Sequence, residues 1–358
     1  MLKRHPLITF IFFGFVLFLI SNRLDELRVY QGATVAIYAI GIGSIILLTG
    51  YSGQVSLGHG ALLAIGGYAA ALARIHYNAP VWLTFVVAVL AAAAGGALLG
   101  LAAARLSGPY LAGTTLALAI GLPSIANQFS IFGGEQGLSY DIGLPPASLG
   151  EDFTQYKWFF WICWAAALIA LYWLRNVMNS RYGRSWRAVR SNDVAAELAG
   201  IHVGRNKVLA FTISAGLAGL AGALLGMTIS LVSPGVFPLA LSFSLATGAV
   251  LSGVTTLGGV MIGSVTLVAI PEIALAIANR YGSETITTNL PGLLVSALLI
   301  LTVLFVPNGP VEQLHAKRAK KGHSSHSPVE ISVRVGSKTW STKKLYGRSS
   351  TEEVVRTK

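Results

Sequence analysis

Long apolar stretches recur along most of this chain, and they limit its fold more than any other feature. About ten of them, roughly 15–25 residues each, are separated by short polar segments, and this length is what crossing a bilayer core requires. Only 11% of the 358 residues are charged, whereas a soluble domain carries roughly a quarter. Because backbone polar groups must be satisfied within a segment in lipid, the sequence predicts an all-α, polytopic membrane helix bundle.

The predicted transmembrane domain covers residues 1–307. Its ten spans are 6–21, 31–48, 56–74, 80–104, 108–129, 156–178, 207–231, 238–255, 257–279 and 290–306. The first span is short and follows Lys3 and Arg4, as in a signal peptide, but ISNRLDEL after it lacks a small-x-small cleavage pattern. We expect it to remain as an uncleaved first helix.

The distribution of Lys and Arg predicts the orientation. Ten spans put both termini on one side of the membrane. If the loop 181–207 is cytoplasmic, only five of the 26 Lys and Arg residues lie outside, and these are Arg23, Arg28, Arg74, Lys157 and Arg280. This bias predicts that both termini are cytoplasmic. The net charge of +12 then reflects topology, and no nucleic acid is expected as a partner.

The composition changes after Pro307. Residues 308–358 are rich in Lys, Arg, Ser and Thr, and the stretch KRAKKGHSSHSP has no apolar period. The sequence therefore predicts a basic, disordered cytoplasmic tail. The cluster Lys317–Lys321 is suited to contact anionic lipid heads, but we favour a solvated tail that only sets the orientation.

The loop 181–207, RYGRSWRAVRSNDVAAELAGIHVGRNK, is polar and basic but has a helical pattern. Asn192 or Asp193 is suited to cap a short helix, and Gly200 to end it. A structured loop of this kind between membrane spans predicts a docking surface in the cytoplasm.

The short helix in this loop has an apolar edge, because Val194, Leu198 and Ile201 fall at i, i+4 and i+7. Glu197 lies on a different face. A groove on a partner protein is one way to bury such an edge. The other is a helix on the membrane surface with arginines at the lipid headgroups, and spacing alone leaves both open. The arginines are Arg184, Arg187 and Arg190.

The segment 49–60, TGYSGQVSLGHG, interrupts two apolar spans with glycine and polar residues. Unwound backbone of this kind lines substrate paths in transporters, and Gln54, Ser56 and His59 are the candidate pathway side chains. A cytoplasmic turn rich in helix-ending residues accounts for the same pattern. A single histidine beside glycines is also more often a hydrogen-bonded structural residue.

Other features bear on mechanism. Small residues recur through 214–226, SAGLAGLAGALLG, which predicts a helix-packing face toward a second subunit or within the chain. Glu272 is the one acidic residue close to a span interior and a candidate for proton coupling, unless it reaches water at the outer surface. No GxxxxGK[ST] phosphate loop occurs, and the single Cys163 excludes a cysteine metal cluster.

Several of these stretches, in this order and spacing, resemble the permease subunits of branched-chain amino-acid ABC transporters. The resemblance extends from about residue 30 to Pro307, and the departures are the basic tail and the residues within GGEQGL. It is carried by GYSGQVSLGHGALLAIGGYAAALA (50–73), SGPYLAGTTLALA (107–119), GGEQGL (133–138), GRSWRAVRSNDVAAELAGIHVGRNKVLAFTISAGLAGLAGALLG (183–226) and VLSGVTTLGGVMIGS (250–264), with PE at 271–272.

The resemblance implies a transport subunit of the prokaryotic plasma (inner) membrane that is not an enzyme and carries no cofactor. The implied partners are cytoplasmic ABC ATPase subunits that hydrolyse ATP, a second homologous permease subunit, an extracytoplasmic solute-binding protein and membrane lipid. The loop 181–207 is similar to the family's coupling helix. The implied ATPase-coupling residues are Asp193, Val194, Ala195, Ala196, Glu197, Leu198 and Gly200.

The resemblance favours branched-chain amino acids as the solute and leaves urea and short-chain amides open, because their permeases look much alike. Helix ends and hydroxyls are able to bind a zwitterion without charged side chains. A stand-alone secondary transporter or channel is the alternative from another class. It needs an ion or proton site, and Glu272 is the one residue available for it.

Overall fold

The computed structural model describes residues 6–21, 23–106, 108–146, 153–253 and 257–281, helical residues between 290 and 304, and strand residues 330–335, 338–343 and 355–356. As predicted, the described part of the span region is a bundle of α-helices. They are α1 (Pro6–Ser21), α2 (Glu26–Ile45), α3 (His59–Tyr77), α4 (Val81–Ala103), α5 (Pro109–Gln128), α6 (Gln155–Asn179), α7 (Arg181–Ser191), α8 (Asp193–Leu198), α9 (Val203–Ile229), α10 (Leu239–Ser252) and α11 (Val260–Tyr281).

Seven helical stretches in the described part are long and apolar enough to cross a membrane. They are Glu26–Tyr51, Val81–Ala103, Pro109–Gln128, Gln155–Asn179, Val203–Ile229, Pro234–Ser252 and Leu257–Ile277. The three other predicted spans correspond to α1, which has 16 residues, to α3, and to the helical residues between 290 and 304. The chain is therefore a multi-pass membrane bundle, whereas the number of ten crossings stays a prediction.

Helix α9 lies at the centre of the bundle, where α2, α3 and α4 pack around it. The small residues of 214–226 make this possible. A Cβ at Gly222 would overlap the carbonyl oxygen of Leu63 on α3, and one at Gly219 would lie 2.7 Å from the carbonyl oxygen of Ala88 on α4. This face of α9 therefore packs within the chain, because close backbone approach is what holds helices together in lipid.

The loop after α5 closes one end of the bundle. A two-residue strand, β1 (Leu138–Ser139), pairs antiparallel with β2 (Leu231–Val232), which follows α9. Tyr140 is buried beside this pair, and its hydroxyl lies 2.6 Å from the Thr84 hydroxyl on α4. Burial raises the pKa of Tyr140 to about 12, so the phenol stays neutral. These contacts fix the GGEQGL loop against the connection between α9 and α10.

The C-terminal part forms a separate unit, Gln313–Lys358. It contains an antiparallel sheet of β3 (Glu330–Val335), β4 (Lys338–Lys343) and β5 (Val355–Arg356), in that order. The sequence expectation for 308–358 does not include these strands, which the alternation of Ile331, Val333 and Val335 favours. The disorder expected of the rest of the tail stays a prediction. The cluster Lys317–Lys321 lies outside the described residues.

Candidate docking unit and the connection beneath it

Helices α7 and α8 form a polar unit, called here the docking unit (residues 181–198). Its two helices are capped by side chains. The Ser180 hydroxyl accepts a hydrogen bond from the Tyr182 amide at 3.2 Å, and Asn192 Oδ1 accepts one from the Ala195 amide at 3.1 Å. Asn192, one of the two predicted capping residues, thus starts α8. Gly200 follows the end of α8 with φ +81°, a conformation that glycine adopts without steric cost.

One side of the docking unit is fastened to the start of α9. Trp186 is fully buried, and its indole Nε1 donates to the Asn206 carbonyl at 3.0 Å. The Lys207 ammonium pairs with the Asp193 carboxylate at 2.7 Å. Because the Asp193 side chain is about half exposed to water, this ion pair is screened and contributes only about 0–1 kcal/mol. The buried tryptophan is therefore the stronger anchor.

A small apolar cluster completes the attachment, with Val189, Ala196 and Val203 buried against one another. Ile201 packs partly buried against this cluster. This corrects the predicted apolar edge, because α8 ends at Leu198 and the i+7 spacing no longer places Ile201 on its outer face. The unit and the start of α9 are thus one packed piece.

The other side of the docking unit is apolar and exposed. Val194 is 67% exposed and Leu198 is 86% exposed. Glu197 is exposed beside them. Single exposed apolar residues are common on proteins, but these two share one face of a capped and anchored helix. The arrangement is suited to enter a groove on another protein.

The predicted coupling residues therefore divide into two groups. Asp193 and Ala196 hold α8 in place through the ion pair and the buried cluster. The side chains of Val194, Glu197 and Leu198 face away from the chain, and Ala195 and Gly200 are exposed as well.

The segment between α2 and α3, called here the α2–α3 connection (residues 52–58), lies beside the docking unit. A π-helical turn, Ile46–Tyr51, carries α2 into it. The connection and the docking unit line the same cavity of about 310 Å³, together with the loop between α4 and α5. The geometry thus favours the predicted turn at the end of two spans over a helix broken inside the bundle.

The three candidate pathway side chains are all buried, with Gln54 at 4%, Ser56 at 3% and His59 at 0% exposure. His59 Nε2 lies 3.1 Å from the Ser214 hydroxyl on α9, which in turn donates to the Ser44 carbonyl on α2 at 2.8 Å. These two hydrogen bonds join α2, α3 and α9, as expected of a structural histidine. A role of the three residues in the solute path stays a prediction.

The sequence did not reveal two residues of this region. The spacing of the loop does not identify Trp186 as an anchor, although a tryptophan in a basic loop indicates that one helix face is buried. One of the two alternatives that the spacing leaves open places Arg184, Arg187 and Arg190 at lipid headgroups. In the structure the Arg190 guanidinium donates to the Gly50 carbonyl, and Arg187 lies over the Tyr51 ring at 5.5 Å. These contacts favour an arrangement against the chain over one against lipid.

Comparison with known proteins gives the class. The family model described as "Branched-chain amino acid transport system / permease component" matches residues 28–303. The high-affinity branched-chain amino acid transport system permease protein LivM of Escherichia coli is 29% identical over 295 residues, which cover 75% of this chain and 66% of LivM. This chain thus spans just under two thirds of the length of LivM.

Two further relatives match over more of their own length. The corresponding permease protein LivH of Escherichia coli is 30% identical over 299 residues, covering 78% of this chain and 91% of LivH. The ribose import permease protein RbsC of Haemophilus influenzae is 26% identical over 305 residues, covering 81% of this chain and 86% of RbsC. The class is thus a transport permease with several apolar membrane helices. This chain belongs to the branched-chain amino acid transport system permease family.

Proposed function

We propose that this chain is the permease subunit of an ATP-driven ABC importer and hydrolyses no ATP itself. ATP is bound and hydrolysed by separate cytoplasmic ATPase subunits, which dock on the docking unit. The observation that carries the proposal is the exposed pair Val194 and Leu198, presented on a helix whose opposite side is fastened to α9. The family of the chain supports it.

The attachment of the docking unit explains how a push from a partner reaches the membrane helices. Because Trp186 and the cluster at Val189 are buried against the start of α9, the unit and α9 move together. Helix α9 is the central helix, so its displacement changes the packing of its neighbours. Alternating access then follows from rigid-body motion.

The orientation is part of the same proposal. Ten spans with both termini in the cytoplasm put the docking unit inside and the GGEQGL loop outside, as the positive-inside bias requires. The membrane is then the prokaryotic plasma (inner) membrane. A second homologous permease subunit lies beside this chain, and an extracytoplasmic solute-binding protein delivers the solute to the outer end.

The proposed solutes are branched-chain amino acids, because LivM and LivH are both named for their transport. Urea or short-chain amides are the alternative within the family. Since the RbsC relative is named for ribose import, sequence similarity to a permease does not by itself select the solute. A binding screen on the cognate solute-binding protein tests this. Binding of leucine, isoleucine or valine supports the proposal, and binding of urea or an amide alone overturns the choice of solute.

The orientation and the docking surface are testable with the same two variants. Cys163 is the one cysteine in the chain and is buried, so an introduced thiol reports on its own position. Leu198→Cys lies on the docking unit, and Leu144→Cys, at a residue 82% exposed, lies in the loop after β1 as the matched control. Both are labelled with a membrane-impermeant maleimide in intact spheroplasts.

Labelling of Leu144→Cys in intact spheroplasts, and of Leu198→Cys only after permeabilisation, is the expected result. Adding the ATPase subunits then protects Leu198→Cys and leaves Leu144→Cys reactive. Labelling of Leu198→Cys from outside overturns the orientation. Equal reactivity with and without the ATPase overturns the docking surface.

A further inference from the structure

The docking unit has a second set of attachments, separate from its anchor on α9. The Arg190 guanidinium donates to the Gly50 carbonyl at the end of α2. A Cβ at Gly53, which has φ +72°, would lie 2.9 Å from Arg190 Cγ, so the stem of the arginine also rests against the α2–α3 connection. Beside these contacts, the Gln54 side-chain amide of the connection donates to the Lys207 carbonyl on α9 at 3.4 Å.

These contacts occur where backbone groups need partners. The last carbonyls of a helix accept no hydrogen bond from within the helix. A charged donor such as a guanidinium forms a stronger hydrogen bond with such a carbonyl than a neutral donor does. Gly50 belongs to the π-helical turn that ends α2, and π-helical turns are frequent at functional positions. Arg190 therefore satisfies a backbone group of α2 that the helix itself leaves open.

The α2–α3 connection and the first turn of α3 are bonded to other membrane helices. The Leu57 amide of the connection donates to the Thr115 hydroxyl on α5 at 3.0 Å, and the Gly60 amide, in the first turn of α3, donates to the Ser242 hydroxyl on α10 at 2.8 Å. The connection thus lies between the docking unit on one side and α5 on the other. A displacement of the connection acts on α5 through Leu57, and on α10 through the first turn of α3.

We infer that Arg190 is a positioning residue that transmits movement of the docking unit to α2 and, through the α2–α3 connection, to α5 and α10. This inference rests on the proposed function and adds to it a second route beside α9. Arg190 does not touch the docking face of Val194 and Leu198, so its loss separates ATP hydrolysis from transport. An arginine that is merely structural would affect both together or neither.

The test uses the complete complex of both permeases, the ATPase subunits and the binding protein in proteoliposomes. ATP hydrolysis and solute uptake are measured on the same sample. Arg190→Ala is expected to lower uptake about tenfold per ATP hydrolysed, the effect of one lost hydrogen bond to a charged group. Arg190→Lys keeps a charged donor and is expected to recover part of the uptake.

The matched control is Arg184→Ala on the same helix, whose guanidinium reaches the Asn179 carbonyl one turn away. It is expected to keep the wild-type ratio of uptake to hydrolysis. Gly53→Ala tests the same contact from the other side, since its Cβ would press on Arg190, and it is expected to uncouple as Arg190→Ala does. It also serves as the test if Arg190→Ala does not assemble.

An unchanged ratio of uptake to hydrolysis in both Arg190→Ala and Gly53→Ala overturns the inference, and so does an equal fall of uptake and hydrolysis. The wild-type complex keeps this outcome apart from failure of the proposed function. If the wild type needs ATP and the variants stay coupled, only the role of Arg190 is wrong. If the wild type imports solute without ATP, the proposed function itself is wrong.

Discussion

Replacement of Leu198 tests the proposed docking of the ATPase subunits on the permease. The side chain is 86% exposed in the chain alone, so it contributes little to folding. Leu198→Ala removes three apolar carbons, and each carbon buried at an interface is worth about 0.8 kcal/mol. Complete burial in the ATPase groove therefore predicts a loss of about 2 kcal/mol of binding free energy. This corresponds to a dissociation constant about thirtyfold larger.

The assay is a titration of the ATPase subunits onto the permease in lipid nanodiscs. Leu144→Ala is the matched control, because this leucine is 82% exposed and lies at the end of the bundle proposed to face outside. The control should leave the affinity unchanged. Both variants should keep the thermal stability of the wild type, since surface substitutions usually change it by no more than about 0.5 kcal/mol. An affinity within twofold of wild type for Leu198→Ala would refute the reasoning.

Three further predictions concern the permease itself. Gly222→Ala should lower the free energy of unfolding by about 1–3 kcal/mol, because a Cβ at this position has no space. Gly113→Ala is the control and should not lower it, because nothing lies within 4 Å of a Cβ there. Thermal unfolding in detergent measures both variants. Ser214→Ala removes the partner of His59 and should cost about 1–3 kcal/mol in the same measurement. Asn192→Ala removes the α8 cap and should cost about 1 kcal/mol of local stability, seen as faster amide exchange in α8 alone.

The helices follow from the sequence because lipid leaves few alternatives. Apolar stretches of sufficient length in lipid must be helical, so the described helices correspond to the predicted spans. The docking unit was also predictable, since a polar loop with a capping residue and a terminating glycine contains its own local signals. Neither prediction depends on which helices are neighbours.

The contacts between distant residues were not predictable. Arg190 and Gly50 are 140 positions apart, and nothing in the spacing of either pairs them. The same holds for His59 and Ser214, which lie 155 positions apart. Local pattern fixes an element and its faces, whereas the partner of each face depends on the packing of the whole bundle.

The C-terminal strands were missed for a different reason. The basic and hydroxyl-rich composition of residues 308–358 favours disorder on average, and this average concealed a local alternation. Ile331, Val333 and Val335 carry the strand pattern in only six residues, and β4 pairs with them in an antiparallel register.

Solute uptake into proteoliposomes measures the central claim most directly. The chain, its sister permease, the ATPase subunits and the loaded solute-binding protein are reconstituted together, and ATP or the ATPase is omitted in turn. We expect uptake against a gradient only when ATP and the ATPase subunits are both present. Uptake of the same solute by this chain alone, without ATP or ATPase, would contradict the account.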